Sequence, residues 1–267
     1  MTAEPRPAGW SPALRAAALL HVAAIGGALA VPGTWPWLAG AVAASHVGLG
    51  AAGMWPRSRV LGPNMVALPP AQAMRGEVGL SFDDGPDPAV TPAVLDLLDA
   101  AGATASFFCI GRAAAAQPGL VRAIVARGHR VENHSETHPN WFAALPPAGL
   151  RREVADAQAR LAELAGTAPA YFRAPMGLRS PLLQPVLARH GLSLAAWTRR
   201  GYDGVDGRPD AALRRLCAGL AGGDILLMHD GRCGRGPDGR ALVLAVLPEL
   251  LADLAARGLR GVSIPLG

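Results

Sequence analysis

The chain contains no lysine; all 25 basic residues among its 267 are arginine. That excludes a phosphate-loop lysine, a lysine Schiff base and any lysine nucleophile. Cysteine is scarce as well. Cys109, Cys217 and Cys233 are odd in number, widely spaced and without a C-x-x-C pair, so neither a disulfide framework nor a zinc ribbon is indicated, and buried small hydrophobes are expected. Charge is missing outright from one stretch: residues 16–56 hold no Asp, Glu or Arg. Run as one helix, that stretch would reach about 60 Å, twice the hydrocarbon core of a bilayer. The net charge of +5, of which residues 1–60 carry +3, comes with no arginine-aromatic patch and no recognised nucleic-acid motif, so nucleic acid is excluded as a partner.

Pro32-Gly33 and Pro36 interrupt the uncharged stretch in its middle. The expectation is therefore two spans, near residues 14–31 and 35–55, joined by a tight turn, with Trp35, Trp37 and Trp55 at the ends where interfacial aromatics belong. A signal peptide fits poorly, because the apolar region is too long and a second one follows at once. A buried helical hairpin packed on the main domain competes, since Ala and Gly dominate. The preferred reading is a membrane anchor through residues 14–55 in a bacterial-type inner membrane. Arg6 and Arg15 precede the first span and Arg57, Arg59 and Arg75 follow the second, which by the positive-inside rule puts the main domain in the cytoplasm. The expected division is 1–56 as the two-helix anchor, 57–76 as a linker rich in Pro, Gly and Arg, and 77–267 as the main domain.

Beyond the linker, short apolar runs alternate with helical patterns. Strand-like runs fall at 78–82, 104–110, 130–133, 170–173, 192–197, 225–228 and 259–264, and helix-like segments near 91–101, 120–127, 147–164, 181–190, 211–220 and 242–257. This alternation predicts an α/β fold with parallel strands, either a distorted or incomplete (β/α) barrel of about seven strands or a doubly wound sheet. In both, reactive groups sit at the C-terminal ends of strands.

The chemistry-bearing residues do follow strand-like runs. Asp83-Asp84 ends the first, before a Gly85-Pro86 turn. Two adjacent carboxylates there repel each other unless a cation holds one and the other has separate work; the bland alternative is a turn and a helix cap. His134-Ser-Glu-Thr-His138 follows the third run, and its spacing predicts both imidazoles on one side of a helical turn, as a metal pair needs. Taken alone, that pattern is more often inert. Arg173-Ala174-Pro175-Met176 ends the fourth run, Trp197 ends the fifth with Asp203 in the loop beyond, and Leu227-Met228-His229-Asp230 ends the sixth. Asn133-His134-Ser135 matches a glycosylation sequon, poorly placed between strand and histidines. Asp206, Asp230 and Arg200 are expected to be solvated loop charges, and 232–240 a mobile loop.

In this order, Ser-Phe-Asp-Asp-Gly-Pro, His-Ser-x-x-His-Pro, Arg-x-Pro, an Asp after a Trp-ended strand, and Leu-x-His resemble the five motifs of the polysaccharide deacetylase (NodB homology) family, carbohydrate esterase family 4. The resemblance covers roughly residues 77–264. It implies the distorted barrel, with Asp84, His134 and His138 as ligands of one divalent ion, zinc by default with cobalt, nickel or iron compatible. It implies Asp83 as general base, oriented by Arg173, and His229 as general acid, supported by Asp203. The turn at Pro175-Met176 would offer the Met176 backbone N–H to the oxyanion, while Trp197 and Leu227 would wall the acetyl site. Two aromatics usual in the family are missing: Met176 and Gly204 stand in their places. A long polysaccharide is less favoured for that reason. The expected activity is N-deacetylation of an amino sugar in a cell-envelope glycan or glycolipid. The alternatives are deformylation or deacetylation of a polyprenyl-phosphate-linked amino sugar, or a catalytically silent sugar-binding module.

Overall fold

The computed structural model describes residues 9–205 and 207–266. Its centre is β1 (Glu77–Asp83), buried at every position, as a strand covered on both faces must be. Around it run β2 (Ser106–Cys109), β3 (Arg130–Asn133), β4 (Tyr171–Phe172), β5 (Ser193–Leu194), β6 (Arg199–Arg200), β7 (Ile225–His229) and β8 (Arg260–Val262). The order is β5-β4-β3-β2-β1-β7-β6, with β8 paired to the first half of β1. Every pairing is parallel. The curved sheet does not close, which is the distorted, incomplete (β/α) barrel of the sequence reading. The run expected at 192–197 ends sooner, in β5, and a separate strand, β6, follows Trp197.

Strand alternation sorts side chains to the two faces. Val78, Leu80 and Phe82 of β1 and Leu226 and Met228 of β7 join the outer core, under helices α4 (Thr91–Ala100), α6 (Pro118–Ala126), α7 (Pro147–Ala165), α9 (Pro209–Cys217) and α10 (Leu242–Ala256). Phe82 and Phe107 stack there with ring centres 5.1 Å apart. Ile225 and Leu227 face inward with Phe108, Tyr171 and Trp197. By the same parity Asp83 and His229, the last residues of β1 and β7, stand side by side at the top of the interior; they are register partners.

The remaining helices are α1 (Pro12–Ala30), α2 (Trp35–Met54), α3 (Pro70–Met74), α5 (Gly111–Ala116) and α8 (Leu183–Arg189). A 3-10 turn, Pro32–Thr34, joins α1 to α2, as the prolines predict. The hairpin does not pack into the main domain: Leu14 and Ala17 in α1 and Gly53 in α2 are its buried residues, while Leu19, Val22, Ile25, Leu29 and Val47 are exposed. Both helices are long and apolar enough to cross a membrane. Its base is fixed rather than loose. The Arg179 N–H donates to Gly53 O at 3.0 Å, and a Cβ on Gly53 would lie 2.4 Å from Arg179 O.

The segment expected as a linker is built in. Leu61 and Leu68 are buried, and the Asn64 side-chain amide donates to Pro56 O and Ser58 O. Met65 bridges to Ala195 at the end of β5, and the Leu68 N–H donates to Gly223 O just before β7. This strap spans the open side of the barrel.

Candidate metal centre and active site

Asp83 and Asp84 diverge because the backbone turns between them. Asp84 takes a left-handed φ of 71° at the end of β1, ahead of a cis Gly85–Pro86 peptide. Asp83 stays in the interior, where Arg173 Nη1 donates to its Oδ1 at 2.6 Å. Arg173 is 1% exposed and fully engaged. It also donates to Ser81 Oγ, Ala195 O and Ala196 O and lies 3.9 Å over the Phe108 ring. Oδ2 of Asp83 is left facing the cleft, 3.8 Å from His134 Nε2.

The His134–His138 segment is not helical, contrary to the expectation from spacing. Ser135 and His138 have φ of 67° and 53°, and side chains hold that shape. Asn133 Oδ1 accepts the Ser135 N–H and Ser135 Oγ accepts the His138 N–H. Glu153 on α7 accepts both the N–H and the hydroxyl of Thr137. Asn133 is fully buried, its amide donating to Val154 O and Gln158 Oε1, which excludes the sequon reading. These bracing residues carried no signal in the sequence.

The loop brings both imidazoles against Asp84. Its Oδ1 is 3.4 Å from His134 Nε2 and 3.2 Å from His138 Nε2, and one donor atom from each of the three lies within 4.8 Å of the others. That oxygen is buried yet has no hydrogen-bond partner. The ring of His134 is fixed by Arg173 O, 2.9 Å from Nδ1. A carbonyl only accepts, so Nδ1 carries a proton and Nε2 is the ring nitrogen turned toward the carboxylate; burial works to lower this imidazole's pKa, but Asp83 and Asp84 raise it on balance. Burial and the charges of His134 and Arg232 push His138 down to about 4. Burial works to raise Asp84, but His134, then the charges of His138 and His229, hold it at about 2. A carboxylate oxygen and two imidazole nitrogens converging on one point fit a divalent cation, which would take the place of a proton between them, and two histidines with one carboxylate leave coordination positions open.

His229 is clamped from behind. Asp203, 1% exposed, accepts the His229 backbone N–H and its ring Nδ1, each at 2.8 Å. Burial would lower this imidazole's pKa, yet Asp203, followed by Asp83 and Asp84, raises it to about 9. The ring is therefore a cation at neutral pH with Nε2–H available to donate.

One cleft brings Asp83, Asp84, His134, His138 and His229 together with Met176, Trp197 and Leu227. Pro175 is buried in the 3-10 turn Pro175–Gly177 beneath it. In that turn Met176 has φ 59°; the backbone bonds begin at the Gly177 N–H, so the turn itself does not use the Met176 N–H.

Three expectations about loop charges change. Arg200 lines the cleft instead of pointing into solvent. Asp230 is fully buried, accepts the Thr91 hydroxyl at 2.6 Å, and is pushed up to about 7 by burial, the Thr91 bond opposing. The third is the segment after His229, which is tied down: the Gly234 N–H donates to Asp203 O, Arg235 pairs with Ala241, and Arg232 Nη1 reaches His138 Nδ1 at 3.0 Å. Asp206 and Arg6 lie outside the described residues. The three cysteines are free.

The model of one family, described as polysaccharide deacetylase, matches residues 71–195. A chitooligosaccharide deacetylase of Bradyrhizobium is 37% identical over 155 residues, spanning 58% of this chain and 70% of the relative. A peptidoglycan-N-acetylglucosamine deacetylase of Bacillus cereus is 30% identical over 189 residues, 70% of this chain and 85% of that one. Among solved structures, a family 4 carbohydrate esterase from Streptomyces lividans in complex with acetate superposes with a TM-score of 0.63 at 35% identity, covering 70% of this chain and 91% of that one.

Proposed function

Because this chain belongs to the polysaccharide deacetylase family, hydrolases of N-acetyl amide bonds, we propose that it removes the N-acetyl group from an amino sugar of a cell-envelope glycan or glycolipid, using one divalent ion. The relatives' names share N-acetylglucosamine chemistry in two different polymers, and the choice among polymer, oligomer and glycolipid follows from the rim of the site rather than from its centre. The observation that carries the reading is Asp84 Oδ1, buried without a hydrogen-bond partner between two imidazole nitrogens.

Asp84, His134 and His138 would hold the ion, zinc by default, which supplies Lewis acidity toward water and the amide carbonyl. Asp83 acts as general base through Oδ2, since Arg173 occupies Oδ1 and orients the carboxylate. The N–H of Met176 donates to the oxygen that gains charge as the amide carbonyl is attacked. His229 gives a proton to the departing amine, which leaves as a free amino sugar beside acetate. Trp197 and Leu227 form the apolar wall for the acyl methyl; formyl would leave that wall unfilled. The presence of every one of these groups favours hydrolysis over a silent sugar-binding module.

His229 sets the alkaline limit. It is protonated below its raised pKa of about 9, so turnover should be retained up to that pH and lost above it. Replacing Asp203 with Asn removes the main raising interaction; the alkaline limb of the kcat profile is expected to move to lower pH. An unmoved limb removes His229 from the acid's role.

We further read residues 1–56 as a membrane anchor, 57–76 as the strap and 77–267 as the catalytic domain. Helices α1 and α2, of 19 and 20 residues, are each about 30 Å long, one hydrocarbon core. Trp35 and Trp37 are exposed at the hairpin's tip and Trp10 and Trp55 at its base, as interfacial belts would be. Arginines flank the base alone, which favours the cytoplasmic side for the domain. The full chain should stay with membranes through alkaline carbonate extraction; release into the supernatant counts against the anchor.

A further inference from the structure

Beside the catalytic cleft lies a second, wider hollow that shares the Trp197 and Arg200 walls with it and adds Trp55, Arg57 and Tyr202 and no acidic side chain. The guanidinium of Arg200 lies 4.8 Å over the Tyr202 ring and 5.7 Å from Trp197. Its Nε is buried with no hydrogen-bond partner among the described residues. A half-buried arginine held between two aromatic rings, with a second, exposed arginine on the same hollow and no carboxylate in its walls, is a receptor for an oxyanion, and phosphate takes a guanidinium fork best.

The position of the hollow names the source of that phosphate. Trp55 caps α2, so the hollow opens at the level where the apolar hairpin ends. The Arg179 to Gly53 bond pins that level to the rim of the cleft. Pro56 walls the same side, its Cγ 3.2 Å from where a Cβ on Gly177 would be. A substrate reaching the cleft there carries its anionic group at the membrane surface, with its sugar inward and its apolar part toward the bilayer.

Building on the deacetylase reading, we propose that the hollow binds the phosphate of a lipid-linked N-acetylated amino sugar through Arg57 and Arg200. The substrate is then a glycolipid rather than a polymer. The test uses the full zinc-loaded chain in lipid vesicles, with three substrates: N-acetylglucosamine, its soluble 1-phosphate, and N-acetylglucosamine on a polyprenyl phosphate. Acetate release and equilibrium binding are both measured. The wild type should prefer the lipid-linked phosphate over the neutral sugar by about 100-fold in kcat/KM, with the difference mostly in KM, and Arg57→Gln and Arg200→Gln should each cut that ratio by about tenfold or more. Equal kcat/KM for neutral and phosphorylated sugars overturns the subsite while leaving the deacetylase reading intact. A soluble 1-phosphate as good as the lipid-linked one overturns the membrane source. If the wild type binds the lipid-linked phosphate, the arginine variants do not, and no acetate is released from any substrate, the subsite stands and the deacetylase reading falls.

Discussion

Asp83→Asn should lower kcat by about 100- to 10,000-fold, the range a general base contributes, while the protein keeps its metal. Three features of the site lead to that combination. Asp83 Oδ1 is taken by Arg173 at 2.6 Å, and an asparagine oxygen accepts the same bond, so the interior geometry survives. The proposed ligands are Asp84, His134 and His138, so metal content should be unchanged. What disappears is the basic Oδ2 facing the cleft. The variant should also be less stable, because Arg173, 1% exposed, loses its counter-charge; removing one member of a buried pair costs about 3 kcal/mol or more. Thermal denaturation alongside metal analysis and acetate release separates the two effects. Near wild-type turnover in Asp83→Asn would assign the base elsewhere.

His134→Ala should have the complementary outcome, with metal and turnover lost together. Its Nε2 faces Asp84 Oδ1 with its ring locked by Arg173 O, so no neighbouring side chain can take its place. Two remaining donors do not hold a divalent ion against dialysis, and bound metal should fall from about one ion per chain to a trace. The fold should tolerate the change, since the loop's backbone is held by Asn133, Ser135 and Glu153 rather than by the imidazole. Metal retained at full occupancy in this variant would place the ion at another set of ligands.

What was readable in the sequence divides along physical lines. Strands buried on both faces leave continuous apolar runs, so β1 and β7 and the acids and histidine at their ends could be placed from residues 77–84 and 225–229. The parity that puts Asp83 beside His229 follows from their place in register. β6 was not readable: Arg199–Arg200 has no apolar pattern, and it is a strand because its backbone pairs with Leu226 and Leu227. The helical geometry expected of His134–His138 failed because Asn133 and Ser135 spend their side chains on the loop's own N–H groups, an interaction that spacing does not encode. The burial of Asp230 comes from the contact of its carboxyl with Thr91, 139 positions away, and Gly85 at its other side. Likewise the strap at 57–76 looks like a linker by composition, and is ordered only because an unclosed barrel offers it free backbone groups on β5 and ahead of β7. Arg200 was misjudged for a related reason: its partners are aromatic faces brought in by Trp197 and Tyr202.

The most direct test of the account is acetate release by the full chain in detergent, stripped of metal with a chelator and titrated with zinc, using N-acetylglucosamine oligomers and the polyprenyl-phosphate sugar as substrates. The account predicts no release from the stripped protein and recovery that saturates at about one equivalent of zinc, with Asp84→Ala silent throughout. Full activity in the stripped protein, or recovery in Asp84→Ala, would contradict it.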